Sequence, residues 1–151
     1  MKRKNTGFTL VEILIVVIIL GILAAIVIPQ FTEASNDARV SALVSDLQTV
    51  RSQVELYKVQ HLDNFPGWNS TTVVAADFVA DLTGKTDSAG DADGTLGPYL
   101  QKFPTNPFNS SAAVKVVTQA TDPNAAAGTE GWWFNVQTGN FGVNYDDYID
   151  R

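Results

Sequence analysis

Cysteine is missing altogether from these 151 residues, and histidine occurs once, as His61. Without cysteine there is no disulfide, no thiolate nucleophile and no sulfur metal site. A lone histidine leaves no partner for a zinc site and no Ser-His-Asp set that spacing supports. Glycine is not gathered into a phosphate-cradling loop either. The chain is therefore not expected to be an enzyme. Positive charge is also scarce: ten Lys and Arg stand against sixteen Asp and Glu, for a net charge of −6. Loss of Lys2, Arg3 and Lys4 with a short leader would leave −9. Nucleic-acid binding rests on Lys and Arg neutralising phosphates, so no nucleic-acid partner is expected. Such an acidic balance is compatible with divalent cations and with a water-exposed surface.

What the chain does have is a long apolar run behind a basic start, MKRKNTGFTLVEILIVVIILGILAAIVIPQF. Seventeen of the 21 residues from Phe8 to Ile28 are aliphatic or Ala, and only Thr9, Glu12 and Gly21 interrupt the run. A helix needs about 20 apolar residues to cross the hydrocarbon core of a bilayer. Lys2, Arg3 and Lys4 ahead of it place that end in the cytoplasm and the rest of the chain on the far side. A secretory signal has a shorter apolar region, ~7–15 residues, ending in a small-residue cleavage site; here Ala24-Ala25 is followed by more Ile and Val. A plain single-pass anchor leaves Glu12 unexplained. A carboxylate at mid-membrane costs ~2.5–3.5 kcal/mol on insertion scales, and intramembrane charges are functional by default.

The string Gly7-Phe8-Thr9-Leu10-Val11-Glu12, after a basic leader and before an apolar run, resembles the class III signal of type IV pilins and pseudopilins. The resemblance implies cleavage between Gly7 and Phe8 by a membrane peptidase on the cytoplasmic side, and N-methylation of Phe8. The apolar segment would then be kept. Cleavage leaves a cationic amine on Phe8, and an opposite charge nearby offsets part of the burial cost of both groups. Positions i and i+4 share a helix face, so Glu12 can pair within its own helix. The family implies instead that Glu12 of an incoming subunit meets the Phe8 amine of a subunit already in a helical filament. Either pairing makes Glu12 and Phe8 a register device for assembly.

Pro29 lies at the end of the run. Proline removes a backbone donor and crowds the preceding turn. It predicts a kink or a locally extended stretch at the membrane exit, rather than a simple helix end, because helical periodicity resumes at once. Beyond it, Phe31, Ala34, Ala38, then Val40, Leu43, Val44, Leu47, Val50, Val54 and Tyr57 recur at helical spacing, one stripe of an amphipathic helix. A helix from Phe8 to about Leu62 would be on the order of 80 Å long. His61, near its end, is expected to be a capping or surface residue and not a metal ligand, and Phe65-Pro66-Gly67 to stop the helix.

Asn69–Thr86 carries a weak helical pattern, and Asp87–Gly94 reads as a loop. Tyr99, Phe103 and Phe108 can pin a Pro-rich crossing to the core. Ala113–Thr118, Trp132–Val136 and Phe141–Tyr145 read as strands of a small antiparallel sheet, the last two flanking a tight turn at Thr138-Gly139-Asn140. Alternation puts Trp132, Phe134 and Val136 on one face and Trp133 on the other, where it is covered by the chain or available to a neighbouring subunit. The expected fold is α+β and pilin-like. It comprises a cleaved leader (1–7), a transmembrane or filament-core helix (8–28), an amphipathic helix (29–62) and a globular head (63–151) with a variable loop region and a C-terminal antiparallel sheet.

Details of the head resemble the major pseudopilins of type II secretion: Leu56-Tyr57-Lys58 leading to Phe65-Pro66, Gly97-Pro98-Tyr99-Leu100 before Pro104, and Gly131-Trp132-Trp133-Phe134. The resemblance implies a structural subunit of a periplasmic pseudopilus that is anchored in the bacterial inner membrane and drives protein export. Its partners would be further copies of itself, the prepilin peptidase and N-methyltransferase, minor pseudopilins, an inner-membrane assembly platform with its cytoplasmic ATPase, and membrane lipid before assembly. A type IV pilus subunit, for adhesion, motility or DNA uptake, is the near alternative. A tethered binding head that never polymerises is the distant one. Major pseudopilins also bind calcium in a C-terminal acidic loop. The equivalent stretch here, Thr121 to Gly128, lacks the aspartate cluster, so that site is not carried over. Asp87, Asp91 and Asp93 could offer oxygen ligands to calcium, or simply form a solvated turn. No cofactor is required, and Asp146, Asp147 and Asp150 make an acidic, solvating end.

Overall fold

A computed structural model describes residues 7–120, 122 and 128–144. The basic leader residues Lys2, Arg3 and Lys4, and Tyr145 with the acidic end at Asp146, Asp147 and Asp150, lie outside the described residues. The elements are α1 (Leu10–Gln60), α2 (Ala75–Thr83), β1 (Val114–Val117), β2 (Trp132–Asn135) and β3 (Phe141–Val143). The chain divides into two compact units, Met1–Ala38 and Arg39–Arg151, and α1 contributes to both.

In the first unit every described side chain is exposed. Ile18 is 53% exposed, Ile28 64% and Phe31 74%. The helix is long and apolar enough to cross a membrane. It stays helical through Pro29, so Pro29 is neither a helix end nor an extended stretch. One missing donor does not interrupt a helix whose bonds continue on both sides. Just past it, Thr32 Oγ1 donates to the Ile28 carbonyl at 3.1 Å, a back-bond of the kind that bends helices locally.

In the second unit α1 has one buried stripe, Leu43, Leu47, Val50, Val54 and Tyr57, at alternating steps of four and three. The upstream members of the expected stripe, Phe31, Ala34 and Ala38, are exposed. The helix stops earlier than Phe65-Pro66-Gly67. Asp63 N–H donates to the Lys58 carbonyl at 3.0 Å, and His61 N–H to the same oxygen at 3.2 Å. The first of these spans six residues, the closing bond of a Schellman motif. It sets Leu62 and Asp63 in left-handed backbone, with φ 56° and 68°, so a leucine occupies the place where glycine is usual.

α2 buries Phe78 and Leu82 and packs on β1. The sheet order is β1-β2-β3. β2 and β3 are antiparallel, with Phe134 opposite Phe141. β1 runs parallel to β2, with Val114 opposite Trp132, so the sheet is mixed and the expected all-antiparallel pairing is corrected. The connection 118–131 exceeds the dozen or so residues that a parallel return requires.

The core is aromatic at its centre. The Phe134 ring lies 4.8 Å from Phe78 and 5.1 Å from Phe65. Trp132 stacks on Phe141 at 5.5 Å. Phe103 is buried against Phe141, and Tyr99 and Phe108 pack at the edge, so the Pro-rich crossing is pinned as expected. Trp133, on the other face, is covered by the chain itself. Its indole N–H donates to the Val143 carbonyl at 3.0 Å, and its ring lies over Gly142, directly opposite on β3. A Cβ at position 142 would stand 2.1 Å from Trp133 Cζ2, so only glycine fits beneath the indole.

Phe134 is fully buried among these rings. Phe134→Ala should therefore destabilise the second unit by about 3–5 kcal/mol, read from denaturant melts of the full chain in detergent micelles. A loss under about 1 kcal/mol would show that the aromatic cluster is not the centre of the core.

Candidate functional site

The first amides of an α-helix have no partner inside the helix. In α1 two side chains meet that need for each other. Thr9 precedes the first helical residue. Its Oγ1 accepts from Glu12 N–H at 3.2 Å and donates to Glu12 Oε2 at 2.9 Å, while Thr9 N–H donates to the same Oε2 at 2.8 Å. This is a capping box, and it also sets a carboxylate at the positive end of the helix dipole. Glu12 is thus partnered within its own chain. Phe8 is 83% exposed, and with Gly7 still attached its nitrogen is a neutral amide that offers Glu12 no charge. Thr9, which the sequence shows only as a break in the apolar run, is a second polar member of the site. The Thr-x-x-Glu spacing ahead of an apolar run is the signal that reveals it.

Gly7 has nothing within 4 Å of where a Cβ would stand. No contact among the described residues asks for glycine there.

The other candidate residues lie in the second unit. Asp87, Asp91 and Asp93 share one turn. Asp87 Oδ1 accepts from Ala89 N–H at 2.8 Å and Asp91 N–H at 3.0 Å, and these bonds hold its carboxyl below the ordinary value. Among the described residues no three His, Asp or Glu side chains are grouped so as to hold a metal ion. His61 is buried, not at the surface. Its ring stacks on Tyr57 with centroids 3.6 Å apart. Nδ1 lies 2.8 Å from the Tyr57 carbonyl; a carbonyl only accepts, so this nitrogen carries the hydrogen and caps the helix end. Nε2 lies 2.9 Å from Thr86 Oγ1. Burial and the Asp81 carboxylate push the Tyr57 hydroxyl well above the usual phenol range, so it stays protonated and donates to Asp81 at 3.0 Å.

A further polar cluster gathers at the β2–β3 turn around Asp122, which with Gly128 is the described part of Thr121–Gly128. Asp122 Oδ1 accepts from Thr138 Oγ1 at 2.6 Å and Asn135 Nδ2 at 2.9 Å, and Oδ2 accepts from Asn140 Nδ2 at 2.6 Å. Arg51 Nε donates to the Phe141 carbonyl at 2.8 Å nearby. Burial opposes ionisation of Asp122, but the hydrogen bonds from Thr138, Asn140 and Asn135 and the Arg51 charge outweigh it and hold its carboxyl below the ordinary value. Among the described residues, its lone pairs face hydrogen-bond donors. Separated stretches of chain build this cluster, so no local spacing announces it.

Residues 2–28 match the prokaryotic N-terminal methylation motif family. Over 110 residues the chain is 36% identical to the type II secretion system core protein G of Pseudomonas aeruginosa, covering 72% of each. The chain belongs to the pilin and pseudopilin family. Among other relatives of this family, core protein G of Aeromonas hydrophila is 30% identical over 110 residues, 72% of this chain and 71% of that one. A type IV major fimbrial protein FimA of Dichelobacter nodosus is 33% identical over 135 residues, 87% of this chain and 79% of that one. No solved structure matches. In this pilin-family chain Gly7, Phe8, Thr9 and Glu12 all fall inside the matched motif.

Asp122 makes a pH prediction. Its folded pKa lies below the unfolded value of about 3.9. Its contribution is therefore complete above that value and is lost as pH falls through the folded pKa. Melting temperatures of the full chain in micelles should fall on acidification below about pH 4, and fall less steeply for Asp122→Asn. Identical acid slopes for the two chains would remove Asp122 from the account.

Proposed function

We propose that this chain is the major subunit of a type II secretion pseudopilus, held in the bacterial inner membrane with its head in the periplasm until it is drawn into a filament. The observation that carries this reading is the similarity to core protein G over 72% of both chains, with the methylation motif at residues 2–28 as its frame. The chain acts as a polymer subunit and not as a catalyst.

The apolar half of α1 supports the reading physically. Its side chains are exposed along the whole run, and lipid covers them first, sister helices later. Transfer costs little, because apolar surface moves from lipid to helix and packing decides the balance. Cleavage between Gly7 and Phe8 frees an amine on Phe8, which is then methylated. Glu12 can exchange its Thr9 donors for the cationic amine of an assembled neighbour, a bond in which both partners, and not the carboxylate alone, carry charge. The prepilin peptidase and methyltransferase, minor pseudopilins, and a platform protein with its cytoplasmic ATPase are the partners this cycle needs.

A type IV pilus subunit is the second reading, favoured by the fimbrial relative that matches 87% of this chain. Deletion separates them. Loss of secreted proteins from the medium with surface pili intact supports the pseudopilus; loss of pili with secretion intact supports the pilus.

The Glu12 exchange has its own test. Glu12→Ala should insert and be cleaved normally, yet yield about tenfold fewer filaments or less, the effect of ~1.4 kcal/mol per subunit contact. Cleavage is followed by gel mobility and filaments by electron microscopy. Wild-type filament yield would sink the proposed role of Glu12.

A further inference from the structure

Outside the apolar run and Phe31, the large apolar side chains left exposed among the described residues are Leu56, Val59, Leu62 and Trp68. Val59 and Leu62 are 82% and 78% exposed. Leu56 and Val59 stand three apart on α1 and share a face. Leu62 follows in the turn that closes the helix, with φ 56°. Left-handed backbone resists a β-carbon, which is why glycine or asparagine usually sits at this place. Leu62 is therefore unfavourable twice over in a lone subunit, by its backbone and by an apolar side chain held in water. At the rim, Lys58 lies 3.6 Å from Glu55 and 3.9 Å from Asp63, so charge beside the patch is internally paired and an apolar partner is not repelled.

The identity of that partner rests on the filament reading above. If the patch paired with its own copy, the contact would be two-fold and would close on itself, whereas an open helical polymer joins two different surfaces. The other large exposed apolar surface among the described residues is α1 from Leu10 to Ile28 with Phe31. Phe31 lies beyond Pro29, outside the stretch of membrane-spanning length, and is 74% exposed. We infer that Leu56, Val59 and Leu62 form a docking surface for the apolar α1 of a sister subunit, at its Phe31 end.

The natural chain has no cysteine, so introduced thiols report without background. Full-length chain carrying both Phe31→Cys and Leu62→Cys, oxidised in cells that assemble filaments, should give a ladder of linked dimers, trimers and longer species. Leu62→Cys alone should give none. Efficient dimers from Leu62→Cys alone would show the patch pairing with itself and overturn the assignment. So would a missing ladder where electron microscopy shows filaments. If the unaltered chain forms no filaments at all, the filament reading itself fails and the docking surface falls with it.

Leu62→Gly supplies a second readout with opposite signs. Relief of the left-handed strain should raise the melting temperature of the full chain in micelles by a few degrees, while filament yield falls several-fold. Val59→Ser, which relieves no strain, should lower the yield with little change in melting temperature. A leucine that served only the fold would lower stability when replaced, and wild-type yield from both variants would overturn the proposal.

Discussion

From Leu10 to Ile28, α1 carries apolar side chains on every side, and the described chain covers none of them. A striped helix can satisfy itself against one partner, but a helix apolar all round needs to be surrounded. Lipid does this for a single chain and sister helices do it for a filament, so membrane residence and polymerisation answer one constraint. The second unit is under no such pressure. There the apolar residues of α1 narrow to one stripe, and the stripe joins a core of Phe, Trp and Val side chains.

Polar atoms in such a helix need partners, since hydrocarbon supplies none. Thr9 and Glu12 meet that need together, each serving the other and a backbone amide. The carboxylate is therefore not a bare charge but an acceptor already in use. In the proposed cycle, cleavage turns the neutral Phe8 amide into a cationic amine, and that amine then competes with Thr9 for the carboxylate.

Much of this was legible in the sequence. The change from an unbroken apolar run to a stripe with steps of three and four marks where α1 stops needing a surround and begins to face a core. The Gly7-to-Glu12 string carries the family, and the match over residues 2–28 agrees. The direction of β1 was not legible, because alternation reports which face a residue takes and not which way the strand runs. Burial of His61 depends on Tyr57 and Tyr99 closing around the ring, and Tyr99 arrives from far along the chain. The helix end near Leu62 was legible, but the closing turn was not, because a leucine took the conformation that glycine advertises. The Thr9–Glu12 cap was written in plain spacing, but Glu12 was assigned to assembly and Thr9 only to a break in the apolar run.

Trp133 and Gly142 face each other across β2 and β3 so closely that a β-carbon at 142 would overlap the indole. A side chain at 142 and the indole at 133 therefore compete for one space, and neither can grow unless the other gives way. Among relatives, the size of the residue at 133 should set which residues 142 is permitted, and the pair should drift together or not at all.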